Sequence, residues 1–138
     1  MANKFHAKPT VVARYRPSEH SEQTLVIAWF SLACKRFKLP PFSLFAIPNA
    51  AKRSFALAAM LKAEGMRAGI PDLFLAARSG RDQSAMGLFI EMKRKPNKPS
   101  AEQLEVIDYL RRAGYHCVIA WNADEAIRAI TAYLKEAT

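Results

Sequence analysis

The sequence predicts a single small α/β domain, a mixed sheet flanked by helices. Three observations predict it. The chain has 138 residues, the length of one domain. Hydrophobic residues make up 51% and charged residues 24%, the balance of a chain that buries a core without disulfide or zinc staples. Helical and strand-like segments follow the order helix, strand, helix, strand, strand, helix, strand, helix, which is the pattern of helices packed on a sheet. Residues 1–17 read as a basic N-terminal arm and 18–138 as the folded domain.

The arm carries Lys4, Lys8, Arg14 and Arg16 and no acid. Ser18 then caps a helix whose apolar positions Leu25, Ala28, Trp29, Leu32 and Ala33 recur at helical spacing. Glu19, Glu22 and Gln23 open it and Lys35, Arg36 and Lys38 close it, a charge order that suits the helix dipole. Pro40-Pro41 ends it. Phe42–Ile47 is short, aromatic-rich and bounded by prolines, and reads as a strand. After the polar loop Asn49-Ala50-Ala51-Lys52-Arg53, a helix runs from about Ser54 and stops at Gly65. Leu73–Ala77 is a second strand and Gly87–Lys93 a third, its hairpin partner. A basic loop, Arg94–Pro99, leads to the capping box Ser100-Ala101-Glu102-Gln103, and the helix it opens closes at Gly114. Tyr115–Ala120 is a fourth strand, and Asn122 caps a last helix lined by Ile127, Ile130 and Leu134. Phe42, Phe45, Phe55 and Trp29 are expected in the core, as large aromatics usually are.

Charge narrows the function. Lys and Arg number 21 against 12 Asp and Glu, a formal charge of +9. So large an excess on a small domain points to a polyanionic partner, nucleic acid first and an anionic membrane surface second. No run approaches the roughly 18–20 apolar residues of a membrane span. The first residues contain no apolar segment of a secretory signal. The two cysteines, Cys34 and Cys117, fit neither a disulfide scaffold nor a zinc ribbon and suit a reducing cytoplasm. His6, His20 and His116 lack metal-ligand spacing, and five scattered glycines make no phosphate-binding loop.

The chemistry-bearing residues lie on the second and third strands. Leu88, Ile90 and Met92 alternate onto one face of the third strand, and Phe89, Glu91 and Lys93 share the other. A carboxylate and an ammonium inside a strand of a largely buried sheet are costly unless paired or bound. Asp72, just after Pro71, heads the neighbouring strand, so hairpin pairing brings it near Glu91. Two convergent carboxylates repel and favour a cation between them, and oxygen-only ligands select Mg²⁺ or Mn²⁺ over zinc. Asp72, Glu91 and the backbone carbonyl of Met92 are the expected ligands. A metal there acidifies a water and polarises a phosphodiester, with Lys93 orienting the water or stabilising developing charge. Arg94, Lys95 and Lys98 are placed to hold a DNA backbone nearby.

These residues resemble the PD-(D/E)xK nuclease signature: Pro71-Asp72, then Glu91-Met92-Lys93. The flanking segments Ile47-Pro48-Asn49, Lys52-Arg53, Leu61–Gly65, Ala68–Leu73, Ile90–Arg94 and Ser100–Gln103 look like the VRR-NUC branch, whose members occur as stand-alone phage and bacterial proteins. The resemblance covers roughly residues 18–134. It implies a restriction-endonuclease-like core and a divalent-metal-dependent deoxyribonuclease with Asp72, Glu91 and Lys93 as its catalytic set. It also implies an acid on the first helix facing the metal, either Glu19 or Glu22, with Glu19 favoured because Glu19 and Gln23 match the family's spacing. Gln103 matches the family's glutamine after the lysine-bearing strand. A homodimer offering two sites to a branched substrate such as a Holliday junction fits that picture.

Plainer explanations stand beside these. Glu91 and Lys93 also suit a salt-bridged pair on an exposed sheet face, and Asp72 a turn after proline. Gln103 is already explained by the capping box, and Glu19 and Glu22 by the helix dipole. Asn49, Lys52 and Arg53 read either as a polar loop or as phosphate contacts, and the Arg94–Lys98 loop as solubilising or DNA-binding. The rival functions are a non-catalytic DNA-binding module on the same fold and a sequence-specific restriction enzyme.

Overall fold

Ser18 opens the first helix, α1 (Glu19–Ala33), with a reciprocal cap: its hydroxyl accepts the Ser21 N–H, and the Ser21 hydroxyl accepts the Ser18 N–H. The computed structural model describes residues 17–49, 54–80 and 82–135. Residues 1–16 of the expected basic arm therefore lie outside the described residues. The buried stripe of α1 is Val26, Phe30 and Ala33. The predicted stripe differs, and two of its members, Leu25 and Leu32, face solvent, Leu32 with 86% of its surface exposed. Both stripes have helical period, so periodicity alone does not choose between them; docking on the sheet does. Trp29 packs half-buried against the core. The chain then tightens into a 3-10 turn, Cys34–Phe37, and ends at Lys38 in the left-handed conformation, φ +57°. The stop thus comes before Pro40-Pro41.

Pro41–Ser43 form a second 3-10 turn, so strand β1 is only Leu44–Ala46, shorter than expected. Helix α2 (Phe55–Ala63) is capped by the Ser54 hydroxyl and followed by Gly65 at φ +106°, a backbone state that favours glycine. Strands β2 (Leu73–Leu75) and β3 (Leu88–Met92) pair antiparallel, as the hairpin expectation required. The Ser100–Gln103 box opens α3 (Ala101–Arg112). Strand β4 (His116–Ala120) follows, and Asn122 caps α4 (Ala123–Leu134).

The sheet order is β1-β2-β3-β4, antiparallel between the first two pairs and parallel between β3 and β4. The parallel pair needs a crossover, and α3 supplies it. Leu44, Leu73, Leu75, Leu88, Ile90 and Met92 face α1 and α4 and bury with Val26, Phe30, Ala126 and Ile130. Phe45, Phe74, Phe89 and Tyr115 form an edge-to-face and tilted ring row, with centroids 4.4–6.0 Å apart. Phe45, Phe74 and Phe89 sit on the opposite face by register. Three aromatics expected inside are exposed: Phe42 and Phe45 by the edge strand, and Phe55, 92% exposed, on α2, which buries no residue. Cys34 and Cys117 are free and buried. No described helix is long and apolar enough to cross a membrane.

The two stripes of α1 make a direct test. Phe30→Ala should cost ~3–5 kcal/mol of unfolding free energy. Leu32→Ala should stay within about 0.5 kcal/mol of the parent. Urea unfolding monitored by circular dichroism measures both, and equal losses would contradict the helix orientation.

Candidate active site

The site grows from the end of the β2–β3 ladder. The last regular pair is Leu73 with Ile90, and β3 runs on past it. The Met92 N–H, beyond that pair, needs an acceptor. The Asp72 carboxylate provides it: Oδ2 accepts the Met92 N–H at 2.8 Å. The Asp72 main chain is held as well, its carbonyl accepting the Ile47 N–H at 2.8 Å. Two strands thus fix Asp72, with buried Pro71 before it. In a strand a residue's N–H and C=O point to the same edge, so the Met92 carbonyl opens on the Asp72 side.

Glu91 lies on the face opposite the main core and is only 3% exposed. Its Oε1 accepts the Gln103 side-chain N–H at 2.7 Å and stands 3.3 Å from the Lys93 ammonium. Gln103 works twice, because its own Oε1 accepts the Ser100 N–H at 2.8 Å and closes the α3 cap. The capping reading and the site reading of this residue describe one side chain with two hands. Lys93 is half-buried, and its N–H extends the parallel ladder to the Ala120 carbonyl. The Glu91–Lys93 pair is therefore enclosed, unlike the exposed salt bridge that was the plainer alternative.

The two first-helix acids separate clearly. Glu19 Oε1 accepts the Arg94 N–H at 3.1 Å, one residue after Lys93. Its charge adds to the rise of the Asp72 and Glu91 carboxyls. Glu22 turns to α4, where its Oε2 accepts the Ala123 N–H at 2.6 Å.

Burial, then the charge of Asp72, pushes the Glu91 carboxyl up to about 7, with Lys93 opposing and Glu19 adding to the rise. Burial also raises Asp72, opposed by the hydrogen bond from Met92 and by Lys93. Among the described residues no group of three or more His, Cys, Asp and Glu side chains converges on one metal position. The donor set is instead two carboxylates with the Met92 carbonyl beside them. Among the described residues, the hydrogen bonds to the pair go to Oδ2 of Asp72 and Oε1 of Glu91. Hard oxygen donors of this kind fit Mg²⁺ or Mn²⁺.

Residues 11–122 match the family model of the VRR-NUC domain. The chain belongs to the VRR-NUC family. A solved structure described as a VRR_NUC domain protein is similar, with 29% identity and a TM-score of 0.71 over 86% of this chain and 89% of that one. No curated protein matches. A VRR-NUC domain is a nuclease-type domain on the PD-(D/E)xK fold, and the mixed sheet with flanking helices has that form.

Of the six expected DNA-binding residues of this VRR-NUC chain, four fall among the described residues. Asn49 is exposed on the segment leaving β1 past Asp72. Lys52 and Arg53 lie outside the described residues. Arg94 is half-buried directly after Lys93, while Lys95 and Lys98 are exposed. A groove not foreseen from sequence adjoins them, lined by Arg94, Lys95 and Trp121. Its signal was an aromatic between a strand and a helix cap. That signal carries meaning only once β4 is known to run parallel beside the Glu91 strand.

Proposed function

We propose that this VRR-NUC chain is a divalent-metal-dependent deoxyribonuclease that hydrolyses phosphodiester bonds, with Mg²⁺ or Mn²⁺ held by Asp72, Glu91 and the Met92 carbonyl and with Glu19 beside them. The observation that carries the reading is the buried Glu91 carboxylate, fixed by Gln103 and Lys93 next to an Asp72 pinned on Met92. The ion supplies charge neutralisation and an acidified water when bound. Asp72 and Glu91 are pre-positioned by hydrogen bonds, so little reorganisation is needed. Lys93 places a positive charge for the transition state of the phosphodiester. Gln103 holds the Glu91 carboxylate in orientation. Lys52, Arg53, Arg94, Lys95 and Lys98 neutralise phosphates and Asn49 hydrogen-bonds to one, helped by the +9 charge of the chain.

The reading extends to branched DNA such as a Holliday junction, cut by a homodimer in the cytoplasm of a bacterium or phage-infected cell. The exposed Phe42, Phe55 and Met60 support a second copy as the partner, since one monomer leaves them in water. Two symmetric copies present two sites to paired strands.

The test is a panel of end-labelled linear, flapped and four-way DNA incubated with Mg²⁺, Mn²⁺ or EDTA, alongside light scattering for mass. Metal-dependent cutting, strongest on the four-way substrate, is expected from a dimer. Binding without cutting on every substrate would leave a DNA-binding module. Palindromic cut sites in plasmid DNA would point to a restriction enzyme.

A further inference from the structure

We propose that the groove at the end of the Glu91-Met92-Lys93 strand is a subsite for one unpaired nucleotide of the DNA, with its base stacked on Trp121 and its phosphate at Arg94 and Lys95. This rests on the nuclease reading and adds to it that branched DNA presents an unpaired base at the branch point to this groove.

Position is the first argument. Trp121 directly follows Ala120, whose carbonyl accepts the Lys93 N–H at 2.9 Å. The groove thus begins where the Glu91-Met92-Lys93 strand ends. Arg94 belongs to both places: its N–H holds Glu19 and its side chain lines the groove.

Size and chemistry are the second. The cavity has a volume of about 400 Å³, within the range of small-ligand sites. Its wall offers an indole face and two cations, the pair of features that proteins use for unpaired nucleic acid. The α4 N-terminus next to it is a poor phosphate site, because carboxylate and amide oxygens already take two of its donors. Glu22 accepts the Ala123 N–H, Asn122 the Glu125 N–H at 2.8 Å, and Glu125 the Trp121 N–H at 2.8 Å. Glu22 and Glu125 also line the groove and repel a phosphate, while Arg94 and Lys95 attract one. A nucleotide therefore sets its phosphate at the two cations and its neutral base against Trp121.

The chain has two tryptophans, so a Trp29→Phe protein reports on Trp121 alone. In EDTA, where cutting is blocked, DNA with a one-nucleotide flap or gap should quench that fluorescence, and the blunt duplex should not. The parent protein supplies a second readout: 2-aminopurine at the unpaired position should lose emission on binding. Trp121→Ala should weaken binding of flapped DNA about 5- to 100-fold and leave blunt-duplex binding unchanged, with Trp121→Phe restoring most of the loss. Equal quenching by both DNAs, or unchanged affinity in Trp121→Ala, would overturn the subsite. The two readings fail separately. Quenching without cleavage on any substrate keeps the subsite and removes the nuclease. Metal-dependent cutting with no Trp121 response does the reverse.

Discussion

Asp72→Asn protein is expected to cut DNA about 10³-fold more slowly than the parent, some 4 kcal/mol of lost transition-state stabilisation. Asparagine is the informative replacement. Its side-chain oxygen still accepts the Met92 N–H, so the 2.8 Å anchor between β2 and β3 survives. What disappears is the negative charge needed to hold a hard cation. Lys93→Ala should lose about 10²-fold or more for a different reason: on the proposed mechanism it removes the ammonium, 3.3 Å from Glu91, that stabilises the reacting phosphate. Both variants should bind DNA within a few-fold of the parent in EDTA, because phosphate neutralisation rests on the wider basic surface. Single-turnover cleavage of end-labelled DNA and an equilibrium binding assay separate the two effects. Full-rate cutting by Asp72→Asn would sink the assignment of the site.

The second large effect concerns stability of the metal-free protein. Glu91 ionises at about 7 in the fold, against an ordinary value of 4.5. Between those values the native state keeps a proton that the unfolded chain has released. By linkage, stability then falls as pH rises through this window and levels off above it. The loss traceable to Glu91 is on the order of 2 kcal/mol, because each tenfold gain in proton affinity is worth ~1.4 kcal/mol and solvent screening at the mouth of the site trims the total. Glu91→Gln keeps an oxygen for Gln103 and Lys93 but cannot ionise. Its unfolding free energy in EDTA should vary less between pH 5 and pH 8 than the parent's. Chemical denaturation at several pH values measures the difference, which cancels contributions from other titrating groups. Parallel curves for the two proteins would show that Glu91 ionises normally. Asp72→Asn should lie between them, because the Asp72 charge is the second cause of the raised Glu91 pKa.

The site was more legible than the packing. Asp72, Glu91, Lys93 and Gln103 stand out because charged and polar groups at fixed offsets in apolar strands are conspicuous, and hairpin pairing limits where they meet. The helix caps at Ser18, Ser100 and Asn122 were equally readable, since capping is a contact over three residues. The α1 stripe was not. Leu25 and Leu32 obey the same period as Val26 and Phe30, and nothing local says which side meets the sheet. The exposed Phe42, Phe45 and Phe55 mislead for a related reason: burial depends on what lies across from a residue, and composition is silent about that. The choice between Glu19 and Glu22 also lay beyond the sequence. Three positions apart, they share one helix face. Only the path of the chain after Lys93, and the placement of α4, sends one to Arg94 and the other to Ala123.

The sequence by itself determined the order of elements, their caps and stops, the excess of positive charge and the residues proposed for metal chemistry. Each follows from local spacing or from summed charge. Tertiary structure alone decided that β4 runs parallel beside β3, that Glu91 is buried rather than salt-bridged in solvent, and that Trp121 shares a groove with Arg94 and Lys95. Those outcomes depend on contacts between segments far apart in the chain. Their energies come from desolvation and long-range pairing, which no window of neighbouring residues contains.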